Sequence, residues 1–190
     1  MLKYLVFVGA LANFLGASYY LKKTIRGEVR PNRVSFLLWG TAPLIGVIAA
    51  FSDEVRLAVI PVLFASLMPL MIFAASFYNK KAYWKLGRFD YACGIFSILA
   101  LILWAITRDP KIAIFFAILA DGFATIPTLK KSWTHPKSET AISYGASLFS
   151  QTTVIFALEI YSFSELAFPI YLGTMNIAII STLLVSRHKK

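Results

Sequence analysis

Apolar runs of 17 to 22 residues, separated by short polar or basic segments, organise almost the entire chain. They read as helices at Lys3 to Leu21, Val34 to Phe51, Leu57 to Tyr78, Tyr91 to Thr107, Ile112 to Leu129, Ala141 to Tyr161 and Leu166 to Val185. Each is long enough to cross a hydrocarbon core of about 30 Å. Strict alternation of apolar and polar residues, the mark of a membrane barrel strand, is absent from these runs, so helices must satisfy the backbone internally. The expected fold is therefore an all-α integral membrane protein with seven transmembrane helices.

Composition agrees: 58% of the 190 residues are hydrophobic and 15% charged, with mean hydropathy +0.71, far too apolar for a soluble domain. The formal net charge of +10 suggests a nucleic-acid partner until the charges are placed along the chain. Fifteen fall on one side of the expected spans: Lys22, Lys23, Arg26, Arg30 and Arg33; Lys80, Lys81, Lys85 and Arg88; Lys130, Lys131 and Lys137; Arg187, Lys189 and Lys190. The other side holds Lys3, Arg56, Arg108 and Lys111. The positive-inside rule then predicts an outside N-terminus and a cytoplasmic C-terminus, in a prokaryotic plasma membrane. Basic charge is thus a topology signal that brings contact with anionic lipid headgroups. No aromatic-basic RNA motif or groove-reading helix accompanies it, so no nucleic-acid partner is expected.

The chain also repeats itself about 108 positions apart. Leu11-Ala12-Asn13 and Leu21-Lys22-Lys23 recur as Leu119-Ala120-Asp121 and Leu129-Lys130-Lys131. After a three-residue gap, Pro31, Ser35 and Trp39-Gly40 recur as Pro136, Thr140 and Tyr144-Gly145. The common order predicts a duplicated three-helix unit: residues 1–79, a linker helix within 80–110, and a second unit with a basic tail over 111–190. A single intervening helix makes the two units parallel, an architecture used by secondary transporters. The first run is kept as a true span, because its basic flank follows it, no small-residue cleavage site is evident and its repeat mate is interior.

Pro127-Thr128 near the end of the fifth helix, then Lys130, Lys131, Lys137-Ser138 and Ser143, resembles the PQ-loop motif of the SWEET and cystinosin-like transporters. The 3+1+3 layout and the orientation are similar as well. Thr128 stands where that motif has glutamine, and Tyr19-Tyr20 stands at the corresponding place in the first unit. The resemblance implies alternating access, with cytoplasmic-side prolines acting as hinges; Pro127 and Pro43 are the candidates.

Chemistry is sought at mid-membrane depth, where an unpaired polar group is costly. The span centres fall near Asn13, Pro43, Met68 and Pro69, Asp121, Ser150 and Gln151, and Asn176. Asp121 is the deepest charged residue. Desolvation disfavours its ionised form, so it is expected to ionise when water or a cation enters. Thr125 and Thr128 continue its stripe, and Tyr144, Ser147 and Gln151 form another on the sixth helix. Asn13, Asp121, Thr125, Gln151 and Asn176 are the candidate substrate ligands, with Asp121 the candidate for proton or cation coupling. Asn13 and Asn176 equally suit interhelical hydrogen bonding, and Asp121 a structural role as a protonated acid. Trp39 and Tyr144, with Tyr19, are gate candidates, the first two also fitting an interfacial aromatic belt.

Other chemistries lack residues. Cys93 stands alone, which excludes an internal disulfide or a Cys-based metal site and fits a small packing residue. His135 and His188 are too isolated for a metal site or a nucleophile-base pair. No Gly-rich phosphate loop exists, and the last helix lacks the deep lysine of a retinal protein. No enzymatic activity, cofactor or metal is expected. The expectation is a carrier for a small polar solute; the alternative is a seven-helix receptor or sorting protein. Self-association is compatible with either.

Overall fold

The computed structural model describes residues 4–50, 59–107 and 109–188. It contains seven α-helices, one on each apolar run: α1 Leu5–Arg26, α2 Arg33–Ala50, α3 Val59–Tyr78, α4 Arg88–Ile106, α5 Pro110–Thr134, α6 Ala141–Ala157 and α7 Phe163–His188. Short 3-10 turns at Lys80–Ala82 and Pro136–Ser138 precede α4 and α6. By length and composition α1, α4, α5 from Lys111 onward, and α7 can cross a membrane, so the chain is an all-α protein with four such helices among its described residues. The expected span ends Lys3, Phe51 and Leu57, and the charges at Arg56, Arg108, Lys189 and Lys190, lie outside those residues.

Helix ends follow local chemistry that hydropathy does not register. α1 runs past Leu21 to Arg26 and stops at Gly27, whose φ of 71° is left-handed. There Gly27 N–H reaches Thr24 O and Glu28 N–H reaches Lys23 O, both at 2.9 Å, a Schellman ending that glycine permits. α5 begins at Pro110 because the Asp109 carboxylate accepts from Lys111 N and Ile112 N. It also continues well beyond Pro127 to Thr134. α6 stops at Ala157 instead of Tyr161, and α7 starts at Phe163 with Ser162 Oγ accepting from Glu165 N. Asn32 caps α2 through Oδ1 and donates to Asp90 Oδ1 at 2.7 Å, fixing the start of α4 beside the start of α2.

Two groups of three helices pack in the same pattern. α3 lies against both α1 and α2, whose backbones do not approach each other closely among the described residues; α7 likewise lies against α5 and α6, whose backbones stay apart. The groups meet where α1 packs on α6 and α2 on α5, while α4 packs on α5 and α2. Small residues permit the closest approaches. A Cβ on Gly16 would lie 2.5 Å from the Ala146 Cβ, and Ser143 Oγ donates to Gly16 O at 2.7 Å. On α4 the buried stripe Cys93, Gly94, Ser97 and Ala100 faces inward, with Ser97 Oγ bonded to Ala120 O.

Polarity runs inside out. Phe7, Leu11, Phe14 and Leu15 on α1, and Ile95, Ile98, Leu99 and Ile102 on α4, are exposed. Thr24, Asn32, Ser35, Ser97, Thr125, Thr128, Ser150, Thr153 and Asn176 are buried. Water would penalise so continuous an apolar surface, whereas lipid accepts it. An aromatic cluster fills one end of the bundle: Tyr20, Val29, Phe36 and Ile72 on one side, Tyr144, Ile179 and Leu183 on the other, with Trp39 touching both.

Candidate functional site

α5 brings Asp121 and Thr125 one turn apart, and Thr125 Oγ1 donates to Asp121 Oδ2 at 3.2 Å. From α7 the Tyr171 hydroxyl donates to the same oxygen at 2.9 Å. From α2 the Trp39 indole N–H donates to Thr125 Oγ1 at 3.3 Å. α5 and α7 thus meet on one carboxylate, and α2 reaches it only through Thr125. Gly122 helps, since a Cβ there would stand 3.4 Å from the Tyr171 hydroxyl oxygen. No Lys, Arg or His pairs with Asp121 among the described residues, and its second oxygen accepts no hydrogen bond from them. That oxygen is chemically able to take a proton or a further hydrogen-bond donor.

The other expected ligands are less closely gathered. Asn176 is buried on α7 and donates to Ser147 Oγ on α6 at 3.1 Å and to Leu172 O at 2.8 Å, so its amide N–H groups tie α7 to α6. Asn13 and Gln151 are half-buried on α1 and α6, two helices that pack together, and neither bonds to Asp121 or Asn176. Thr128, one turn beyond Thr125, turns away to bond Ser35 on α2 at 2.9 Å. Pro43 is half-buried within α2 and Pro127 is buried within α5.

Two of the three aromatic gate candidates, Trp39 and Tyr144, lie inside the bundle. Tyr144 is 6% exposed, Trp39 is held by Thr125, and both belong to the interior cluster, where an interfacial belt would leave them at the rim. Tyr19 is half-buried at the edge with Lys23 above its ring, 5.3 Å from the centroid. Its neighbour Tyr20, 2% exposed, is the ring that reaches inward, 5.0 Å from Phe36 and edge-on to Tyr144 at 6.5 Å.

Both inner tyrosines end on one acid. Glu139 Oε2 accepts from Tyr20 at 2.8 Å and from Tyr144 at 3.0 Å, while Oε1 pairs with the Lys131 ammonium. Lys131 also donates to the Arg30 carbonyl, and its ammonium lies over the Trp84 ring. The side chains of Lys131 and Glu139 are 1% and 0% exposed. Arg187 from the end of α7 donates to the Glu139 carbonyl at 2.8 Å. A single buried carboxylate therefore joins α1, α5 and α6 at this end of the bundle, and the Arg187 bond adds α7. Two unlike charges out of water are stable only when well paired and further hydrogen-bonded, and this pair is both.

Hydropathy missed this node because it counts Lys131 as one more interfacial base. The signal available was Glu139, the one acid between Lys130 and Thr140. Tyr171 was missed because a tyrosine in an apolar helix carries no depth signal until its partner is known. No protein-family model, curated protein or solved structure matches the chain.

Proposed function

We propose that the protein is a secondary transporter that moves a small polar solute by alternating access, with Asp121 coupling transport to a proton or small cation. In this reading all seven helices span the membrane as 3+1+3, with the N-terminus outside and the α5–α6 connection in the cytoplasm. The like packing of α1–α3 and α5–α7 supports two parallel units with α4 as the linker. The observation that carries the reading is Asp121: an acid inside the bundle, held by hydroxyls from α5 and α7, with one oxygen unused. An acid in lipid without a basic partner is expensive, and proton or ion relays are what such residues serve. The Glu139 node binds the cytoplasmic ends of α1, α5 and α6 across the two units.

Around Asp121, Tyr171 on α7 acts as a donor and α2 presents Trp39 through Thr125, while Ser97 on α4 bonds the neighbouring Ala120 carbonyl. A thermal-shift screen of small polar metabolites at two pH values identifies the solute, since a ligand of the folded state raises its apparent stability. In proteoliposomes Asp121→Asn keeps the shape and removes the charge change. It is expected to abolish accumulation driven by a pH gradient while retaining solute binding. A variant that still concentrates solute with unaltered pH dependence overturns the coupling role and leaves a uniporter.

A further inference from the structure

We propose that the cleft at the N-terminus of α6 is a phosphate site, taking the phosphate of an anionic lipid headgroup or a free phosphate monoester. The cleft, about 340 Å³, lies between the end of α1, the start of α6 and the end of α7. Tyr19, Lys23, Lys137, Thr140, Ile142 and Arg187 line it. It is separate from the Asp121 site and does not depend on transport.

Three features point to an anion. First, α6 is 17 residues long and its N-terminus faces the cleft, so its first backbone N–H groups and the positive end of its dipole are offered there. Backbone donors of that kind are a ready anion cradle. Second, Thr140 occupies the cap position in extended conformation, yet its hydroxyl makes no cap bond. It is 5% exposed, lines the cleft, and has no hydrogen-bond partner among the described residues. Its hydroxyl oxygen is not among the fully buried unpartnered atoms, so it stays accessible, and a phosphate oxygen at the helix start would bond it together with the free N–H groups. Third, the cationic side chains exceed the acids. Glu28 is occupied by Lys23 at 3.1 Å, and the Glu139 carboxylate by Lys131 and the two tyrosines. Arg187 bonds the carbonyls of Glu139 and Pro136, which leave its charge uncompensated, and Lys137 has no ion-pair partner among the described residues.

The wall suggests why a lipid could be the source. Ile142 is 58% exposed and lines the cleft beside the polar floor, so an acyl chain could follow it while the headgroup enters. The shared chemistry is a phosphate dianion or monoanion. Exposed lysines alone would attract such groups diffusely, and the test must separate the two cases.

The full-length protein, purified and delipidated in detergent, is titrated with dioctanoyl phosphatidic acid, dioctanoyl phosphatidylcholine and inorganic phosphate, with binding read by native mass spectrometry and thermal shift. Saturable binding of phosphatidic acid is expected, weakened about tenfold by Lys137→Gln and several-fold by Thr140→Val, the ranges for losing a charged or a neutral hydrogen bond. Lys22→Gln, an exposed base outside the cleft, should leave it unchanged. The unliganded melting temperatures of the variants establish that each is folded. Inorganic phosphate competing at comparable concentration supports the same site with a soluble ligand, whereas failure to compete assigns it to the lipid. Equal losses from Lys22→Gln and Lys137→Gln, or binding that never saturates, overturn the proposal.

Discussion

Removing the charge of Glu139 should cost far more than the loss of one hydrogen bond. Glu139→Gln keeps an acceptor for Tyr20 or Tyr144 but strands the Lys131 ammonium, 1% exposed, with the Arg30 carbonyl as its remaining hydrogen-bond acceptor. Breaking a buried pair by deleting one partner typically costs about 3–5 kcal/mol. For a domain of this size that lowers the melting temperature by roughly 6–20 °C. Lys131→Met leaves the opposite charge buried and should cost a similar amount, softened by the two tyrosine hydroxyls. The decisive measurement is the double variant Glu139→Gln/Lys131→Met. No charge is then left uncompensated, so its loss should not exceed that of either single variant, giving a coupling of about 3–5 kcal/mol between the two sites. Thermal unfolding of the three proteins in one detergent reads this directly. Losses that simply add would mean that the two side chains do not form a pair, and the node would fail as an account of how this end of the bundle is held.

Two further outcomes test the packing and the orientation. A Cβ at Gly16 meets Ala146 at 2.5 Å whereas one at Gly145 meets nothing within 4 Å, so Gly16→Ala should lose about 1–3 kcal/mol by overpacking and Gly145→Ala almost nothing; equal melting temperatures would refute the α1–α6 contact. Lys137→Cys in a Cys93→Ser background should react with an impermeant thiol reagent from the cytoplasmic face alone, and labelling from outside would overturn the proposed topology.

How much of this was legible depends on which physical signal each feature leaves in a sequence. Each of the seven helices coincides with a long apolar run, so their existence and order could be read from hydropathy. Their ends could not, because they are set by single side chains: Gly27 stops α1, Asp109 starts α5 and Ser162 starts α7. Gly27 and Asp109 are recognisable helix signals, and weighing them against hydropathy would have extended α1 and α5 correctly. At the site, the depth argument singled out Asp121, and helical spacing placed Thr125 beside it. Depth also placed Asn13 and Gln151 in the same layer, but depth fixes a coordinate along the helix and not the direction a side chain faces. Facing decides who bonds whom, and it brought in Tyr171.

The Glu139 node carries the same lesson further. Lys23 and Lys131 occupy corresponding places in the two similar stretches, yet Lys23 pairs with exposed Glu28 and Lys131 with fully buried Glu139. The difference traces to the three-residue gap. In the first stretch seven residues separate the lysine from Pro31, enough for Gly27 to turn the chain and set Glu28 beside Lys23 at the surface. In the second, four separate Lys131 from Pro136, no acid lies between, and the 3-10 turn Pro136–Ser138 folds Glu139 back beneath the lysine. A shorter connection thus converts a surface pair, worth little, into a buried one on which two tyrosines also depend. Inserting the three residues Arg26-Gly27-Glu28 after Ser132 would give Lys131 a nearer acid at the surface. Such a chain should release Tyr20 and Tyr144 from Glu139, measurable as a loss of stability comparable to Glu139→Gln; an insertion without effect on stability would show that loop length is not what buries the pair.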